Sequence, residues 1–346
     1  MDVSLPAQGG ESTSGKKTDD CRFSRDASQG MHPPENSPLS AKSVEDRLHK
    51  PGVAGSSPAA ATLDFSEKIS DYHADRAWWS KSQLWDLHSR GPLWFHGRYL
   101  TGEYTGPWGS SLSKGTNVHS WAEDPEAWWA RVAVVPDEFV GVNGAILKKG
   151  EAWVAEQAAD AVILKPSEVE AYRAQFARLM DDPVFRQLTE QTEHREFSIR
   201  WVCEDTGLPV RCRPDAATET VLWDLKTTKD EDPLKTWVHA AHKFGYGFQA
   251  ALYTRIARAA GFRVKQFVFM VTSTVPPYEA CAVTLPQDYL AQCERQVLSA
   301  CRDLKERLAF DHWLRSERGQ ITELEVPRYY MEAREHEARS RLDWSE

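Results

Sequence analysis

The sequence predicts a mixed α/β domain behind an unstructured leader, and three observations carry that prediction. Residues 1–62 hold 22 Gly, Pro and Ser and a single aromatic, Phe23, whereas every tryptophan lies at or beyond Trp78. A segment so poor in apolar surface cannot offset the entropy of ordering it. Beyond it, apolar residues recur at helical spacing up to about Arg186, and from Phe197 the period drops to two. The last part of the chain then alternates strand and helix patterns, as a sheet covered by helices does.

Taken in order, Ser80-Lys81-Ser82-Gln83 opens the first clear helix with Ser and Gln at capping-box spacing. Leu84, Trp85 and Leu87 follow, and Gly91-Pro92 stops it. Helical texture is expected again over Glu151–Ala161 and from Pro166 to about Arg186, where Val169, Tyr172, Phe176 and Leu179 keep one face apolar. Phe197, Ile199, Trp201 and Cys203 alternate with Ser198, Arg200 and Val202, the pattern of a half-buried strand. Asp205-Thr206-Gly207 turns the chain, and Leu208–Pro214 returns as its hairpin partner, with Cys203 and Cys212 expected to face each other as thiols. A third strand spans Thr220–Thr227, and a helix spans Gly247–Ala260, ended by Gly261. Two further strands (Val264–Thr272 and Tyr278–Leu285) precede a long helix striped by Leu290, Cys293, Val297, Cys301, Leu304 and Leu308. The organisation expected is a disordered leader over 1–62, a folded domain over 63–310, and a charged, partly ordered tail over 311–346.

Composition narrows the classes of function. Basic residues number 42 and acidic ones 51, for a net charge of −9, which excludes a uniformly basic nucleic-acid coat but not a local basic groove. No apolar run approaches the roughly 18 residues of a membrane helix, and the start has neither the basic nor the apolar segment of a secretion signal. Six cysteines without a CxxC pair suit reduced thiols. A cytoplasmic protein without membrane partners is the expectation.

The stretch richest in chemistry is Arg213-Pro214-Asp215, followed after eight residues by Asp224-Leu225-Lys226-Thr227-Thr228. Asp224 and Lys226 are two apart on a strand, so both side chains leave on one face. Leu225 points the other way, which leaves its carbonyl able to turn to the same site. Asp215, at the end of the neighbouring strand, can bring a second carboxylate beside Asp224. Such a group is either a surface ion pair with a turn residue nearby, or an oxygen-rich site for Mg2+, with Mn2+ as a substitute. Lys226 would then orient or deprotonate a water, or offset charge on a phosphate. From Glu196 to Lys265 there are 11 basic and nine acidic residues, a local excess of positive charge in an acidic chain. Arg200, Arg211, Arg213, Lys229, Lys235 and Lys243 are the candidate phosphate contacts. Trp237, Phe244 and Tyr246 are candidates to stack on an unpaired base, although core packing is the expected fate of at least Phe244, and His239 and His242 read as loop residues.

Pro214-Asp215 with Asp224-Leu225-Lys226 resembles the PD-(D/E)xK nuclease core. More narrowly, Glu196-Phe-Ser-Ile-Arg-Trp201, Thr206-Gly-Leu208, Arg211-Cys-Arg-Pro-Asp215 and Asp224-Leu-Lys-Thr-Thr228 resemble the nuclease domain of the RecE (exonuclease VIII) family. Gln249-Ala-Ala-Leu-Tyr253 is similar to the QxxxY motif of RecB-like and Cas4-like nucleases, and Gly115-Thr-Asn-Val-His119 to a GxxxH segment. The resemblance covers roughly residues 72–290. It implies a restriction-endonuclease-like core with an N-terminal helical extension. It also implies metal ligation by His119, Asp215 and Asp224, to which the strand reading adds the Leu225 carbonyl, a catalytic Lys226, and support from Gln249 and Tyr253. Glu196 matches a glutamate before the core strand, whose part (metal ligand, water orienter or helix end) stays open. The activity implied is Mg2+-dependent 5′-to-3′ exonuclease digestion of linear duplex DNA in phage-type recombination. A homo-oligomeric ring and a single-strand annealing partner would accompany it. An endonuclease or repair nuclease on the same core, and a recombination scaffold that binds without cleaving, are the alternatives. The cysteine spacing excludes the Fe–S cluster of Cas4 relatives, and the absence of a Gly-rich phosphate loop excludes a nucleotide-driven motor.

Overall fold

Two neighbouring strands, each buried on both faces, form the spine of the molecule. The computed structural model describes residues 61–104 and 111–315 together with 319, 321 and 323; for 111–113 it describes the backbone. The expected leader, apart from its last two residues, and most of the expected tail lie outside the described residues.

The chain enters through a short strand, Thr62–Asp64 (β1), and a helix, Ile69–Ala74 (α1). Lys81–Arg90 (α2) follows, capped at Ser80, whose backbone N–H donates to Gln83 Oε1 at 2.9 Å and whose hydroxyl lies 3.1 Å from the same oxygen. It ends as expected at Gly91, which takes a φ of 94°, and Pro92 then starts a short helix that was not expected, Pro92–His96 (α3). Ser111–Glu123 (α4) and Pro125–Ala130 (α5) lead to Val132–Val134 (β2). Lys148–Ala155 (α6) and Val162–Leu164 (β3) come next. The helix expected over Glu151–Ala161 thus begins earlier and stops sooner, and β3 pairs in parallel with β2.

The helix expected from Pro166 to about Arg186 is two helices, Pro166–Asp181 (α7) and Pro183–Gln191 (α8). Pro183 disfavours helical geometry at Asp182, and Asp182 instead caps α8 by accepting from Phe185 N at 2.8 Å. His194–Arg195 (β4), Ser198–Val202 (β5) and Pro209–Cys212 (β6) follow, then Ala216–Ala217 (β7) and Val221–Thr228 (β8). Pro233–Lys243 (α9), capped by Asp232, is a helix where a loop is expected. Tyr246–Ala259 (α10), Gln266–Ser273 (β9), Ala280–Val283 (β10) and Gln287–Phe310 (α11) complete the order, close to their expected positions.

The strands expected to form one sheet are divided between two larger ones. β5 and β6 form the expected hairpin, but with β1 they make a three-stranded sheet, and Cys212 pairs with Ile199 while Cys203 meets Leu208. The two thiols are therefore not cross-strand partners. The main sheet runs β10-β9-β8-β7-β4, with β8 and β9 parallel and the other pairs antiparallel. On one face Leu222, Phe267, Phe269 and Val271 pack under α2, α10 and α11. On the other, Trp223, Leu225, Val268 and Met270 pack with Val118, Trp121, Phe176 and Leu179 of α4 and α7. Burial on both faces explains why Phe267–Val271 reads as a continuous apolar run rather than an alternation. Each such side chain contributes roughly 1.5–3 kcal/mol. Mixed sheet and flanking helices together give the α/β class expected.

Candidate active site

The site lies where β7 ends. That strand is two residues long and meets β8 only at Leu222 and Trp223, so among the described strands β8 beyond Trp223 is paired with β9 alone. The register Ala216↔Trp223, continued by one residue, sets Asp215 opposite Asp224. Asp215 Oδ2 accepts the exposed-edge N–H of Leu225 at 2.7 Å. In an extended strand the N–H and C=O of one residue leave on the same edge, so the Leu225 carbonyl also faces the open side.

Three ligand-type groups converge there: one ligand atom each from His119, Glu196 and Asp215 lies within 4.8 Å of the other two, and among the described residues this is the one such group found. His119 comes from α4, with Nδ1 3.2 Å from Asp215 Oδ2. Glu196 sits between β4 and β5 at a φ of 48°, a left-handed conformation that costs a glutamate of order 1 kcal/mol. Its N–H donates to the Asp215 carbonyl at 2.9 Å, and Arg213 Nε donates to its Oε2 at 3.1 Å. A nitrogen, two carboxylates and a strand carbonyl are a donor set that suits a divalent cation, and the imidazole favours Mn2+ over Mg2+ within that class.

Asp224 is not in that three-group cluster. It is 2% exposed, and so buried a carboxylate is costly unless paired. Gln249 Nε2 donates to its Oδ1 at 2.6 Å, and the Lys226 ammonium sits against its Oδ2. Gln249 and Lys226 thus occur where the sequence puts them, on the helix and strand flanking one carboxylate. Tyr253, one turn beyond Gln249, packs edge-on against Phe267, with ring centroids 6.3 Å apart. The ring beside Lys226 is that of Tyr246, 5.1 Å from the ammonium.

Charge at the site is strongly polarised. Burial opposes protonation of His119, but the Asp215 charge and hydrogen bond outweigh it and raise the imidazole to about 9. Burial, reinforced by Asp215, lifts Glu196 to about 7. Burial would raise Asp215 too, yet His119, Lys226 and the Leu225 N–H hold it below the usual carboxylate value; burial and the Asp215 charge raise Asp224. Lys226 resists burial because Asp224 and Asp215 hold its proton, so it stays a cation and does not act as a base in this arrangement. An excess of carboxylate charge held by protons and one ammonium is a site where a divalent cation replaces protons.

Several basic residues expected to contact phosphate are committed elsewhere. Arg211 is 3% exposed, donates to the Tyr72 carbonyl and stacks on the Tyr72 ring at 4.2 Å. Arg213 is bound by Glu196, the Glu67 carbonyl and Ser198 Oγ, and Arg200 by Glu67 and Asp75. These three hold the β5–β6 sheet to the N-terminal segment, so Arg211 and Arg213 are withdrawn as DNA contacts. Lys229, Lys235 and Lys243 are exposed, as are His239 and His242, now on α9. Trp237 is buried and stacks on Tyr246, whereas Phe244, expected to pack in the core, is 49% exposed because it follows the last turn of α9, and it is the open ring of that trio.

The sequence reading missed residues at the rim. The cavity at the cluster is lined by His119, Glu196, Asp215, Trp223 and Leu225, and also by Ala122, Glu123 and Arg195. Glu123 lies four residues after His119, so helical spacing alone places it on the same face. Arg195 belongs to a two-residue strand, too short to show a period. Lys81, at the start of α2, donates to the Phe244 carbonyl at 2.5 Å and lies 5.6 Å from the Tyr246 ring; burial and the Lys226 charge lower it to about 7.

A family model described as a PDDEXK-like domain of unknown function (DUF3799) matches residues 99–317. The fold is similar to a crystal structure from Eubacterium rectale named as a candidate exonuclease, with a TM-score of 0.50, 15% identity, and coverage of 78% of this chain and 98% of that one. No curated protein matches the chain in sequence.

Proposed function

The chain belongs to the PDDEXK-like domain family (DUF3799), and from that premise we propose that it is a divalent-metal-dependent nuclease acting on DNA phosphodiesters. The observation that carries the reading is the meeting of His119, Glu196 and Asp215 at the open edge of β8, where the register sets Asp215 opposite Asp224 of the Asp224–Lys226 pair. His119, Glu196, Asp215 and the Leu225 carbonyl would hold the cation, Mg2+ or Mn2+. When bound it supplies positive charge to the substrate phosphate and lowers the pKa of an attacking water.

The residues of the chain do the rest. Gln249 fixes Asp224, Asp224 fixes the Lys226 ammonium, and that ammonium donates to a phosphate oxygen or to the water while offsetting the charge that develops. The finer reading is 5′-to-3′ exonuclease digestion of linear duplex ends in RecE-like recombination, in the cytoplasm. The ends would be handed to a single-strand annealing protein, and a homo-oligomeric ring would give processivity. What supports it is the RecE-like series of motifs together with the name of the Eubacterium rectale neighbour.

The test is digestion of end-labelled linear duplex and of closed circular DNA with Mg2+, with Mn2+ and with EDTA. Metal-dependent loss of label from the linear form alone is expected, and Lys226→Ala should lower the rate by about 10²–10³-fold without changing the circular dichroism spectrum. Equal digestion by Lys226→Ala, or digestion in EDTA, overturns the assignment; cleavage of the circle makes it an endonuclease.

A further inference from the structure

We infer that Arg195 is a catalytic residue of this site, the guanidinium that grips the phosphoryl group being cleaved. The inference rests on the nuclease reading and names a substrate contact that its motifs do not contain. Arg195 lines the same cavity as His119, Glu196 and Asp215, and among the residues lining that cavity it is the one arginine or lysine. Its backbone is fixed by the register Arg195↔Ala216, which sets it beside the residue that follows Asp215 and immediately before Glu196. Its side chain is held from two directions: one terminal nitrogen donates to the Thr189 carbonyl at 3.3 Å, and the guanidinium lies 5.8 Å from the Trp223 ring. Trp223 is itself fixed by donating from Nε1 to Thr192 Oγ1 at 2.9 Å.

What sets this arginine apart from Arg200 and Arg213 is that no carboxylate pairs with it among the described residues. Arg200 and Arg213 are paired with carboxylates and Arg211 is buried on the Tyr72 carbonyl and ring, whereas Arg195, which also has a carbonyl and a ring beside it, is only half-buried and makes no ion pair within 4 Å among the described residues. Glu123, on the cavity wall, is its one favourable electrostatic neighbour, opposing the cost of its partial burial. A half-buried guanidinium with free donors, facing a carboxylate cluster it does not bond, is poised for an anion that arrives with the cation. Its planar pair of N–H groups matches two phosphate oxygens, which a lysine cannot do. Lys226 then approaches the phosphate from the β8 side and Arg195 from the β4 side.

The experiment has a binding arm and a cleavage arm. In the first, Ca2+ replaces the supporting metal, and anisotropy of a labelled duplex is followed for the parental protein, Arg195→Lys and Arg195→Gln. A weakening of about tenfold or more is expected for Arg195→Gln and a smaller one for Arg195→Lys, with unchanged melting temperatures. In the second, Mn2+ supports cleavage of the two phosphorothioate diastereomers. The parental enzyme should distinguish them, and Arg195→Gln should lose both rate, by about 10²-fold, and that discrimination. If Arg195→Gln binds and cleaves as the parent does, the inference is overturned and the nuclease reading stands. If the parent never cleaves but Arg195→Gln still loses binding, the nuclease reading falls and the phosphate contact survives. A parental protein that binds no duplex overturns the contact as well.

Discussion

Gln249 illustrates how much of this site depends on neutral groups. Its amide supplies the hydrogen bond to Asp224 Oδ1 that keeps a nearly inaccessible carboxylate oriented toward Lys226. Gln249→Leu preserves volume and helix but leaves that buried oxygen without a donor, so kcat should fall by about 10–100-fold and the protein should lose about 1–3 kcal/mol of stability; parental kcat would refute the role. Cation binding should depend on pH with a definite sign. Glu196, at about 7, and His119, at about 9, both lie above their ordinary values, so both hold protons that a cation must displace. Affinity for Mn2+ should therefore rise by about tenfold per pH unit between 7 and 9, more steeply below 7, and level off above 9. Electron paramagnetic resonance titrations at pH 6.5, 8 and 9.5 would detect this, and a flat profile would contradict it. At this scale Asp215, Asp224 and Lys226 were readable from strand spacing, which aligns their side chains, whereas His119 and Gln249 were singled out only by the motifs that resemble a nuclease family. The commitment of Arg211 was not, because it depends on Tyr72, far away in sequence.

At the scale of elements, the joints decide how well the site is held. Gly245 precedes α10, the helix that carries Gln249, with a φ of 64°, and a Cβ there would stand 2.3 Å from the Trp85 ring. Left-handed strain and that overlap together should make Gly245→Ala cost at least about 2 kcal/mol, a fall of roughly 4–8 °C in Tm for a domain of this size. Gly115 on α4 provides the contrast: a Cβ would meet Thr227 Oγ1 at 3.5 Å, an ordinary contact. Gly115→Ala should thus be neutral or raise stability by up to about 1 kcal/mol through helix propensity. Thermal denaturation of the two variants measures both. Helices with a clear cap and stripe, such as α2 and α11, were legible to within a few residues. The break at Pro183 was written in the sequence but hidden by an apolar spacing that runs through it. The helix α9 was obscured by the histidines and aromatics that suggested a loop.

For the whole molecule, the segment from Ala61 to Arg76 acts as a strap across the β5–β6 sheet. It supplies Glu67 and Asp75 to Arg200, the Tyr72 carbonyl and ring to Arg211, and the Glu67 carbonyl to Arg213. Stripping one partner from a buried cation costs about 3–5 kcal/mol. A chain starting at Ala61 should therefore keep parental Tm and activity, whereas one starting at Ala77 should lose the cooperative thermal transition or melt at least roughly 10 °C lower; equal melting of the two would remove the strap. By itself the sequence determined the element types, the two-sided burial of the central strands and the pairing of Asp224 with Lys226, since each follows from periods of two or 3.6 residues along a few turns of chain. Only the tertiary structure decided that the strands divide into separate sheets, that β7 stops short and opens the edge of β8, and which arginines are spent on packing. Those outcomes follow from contacts between segments distant in sequence, where side-chain spacing carries no signal.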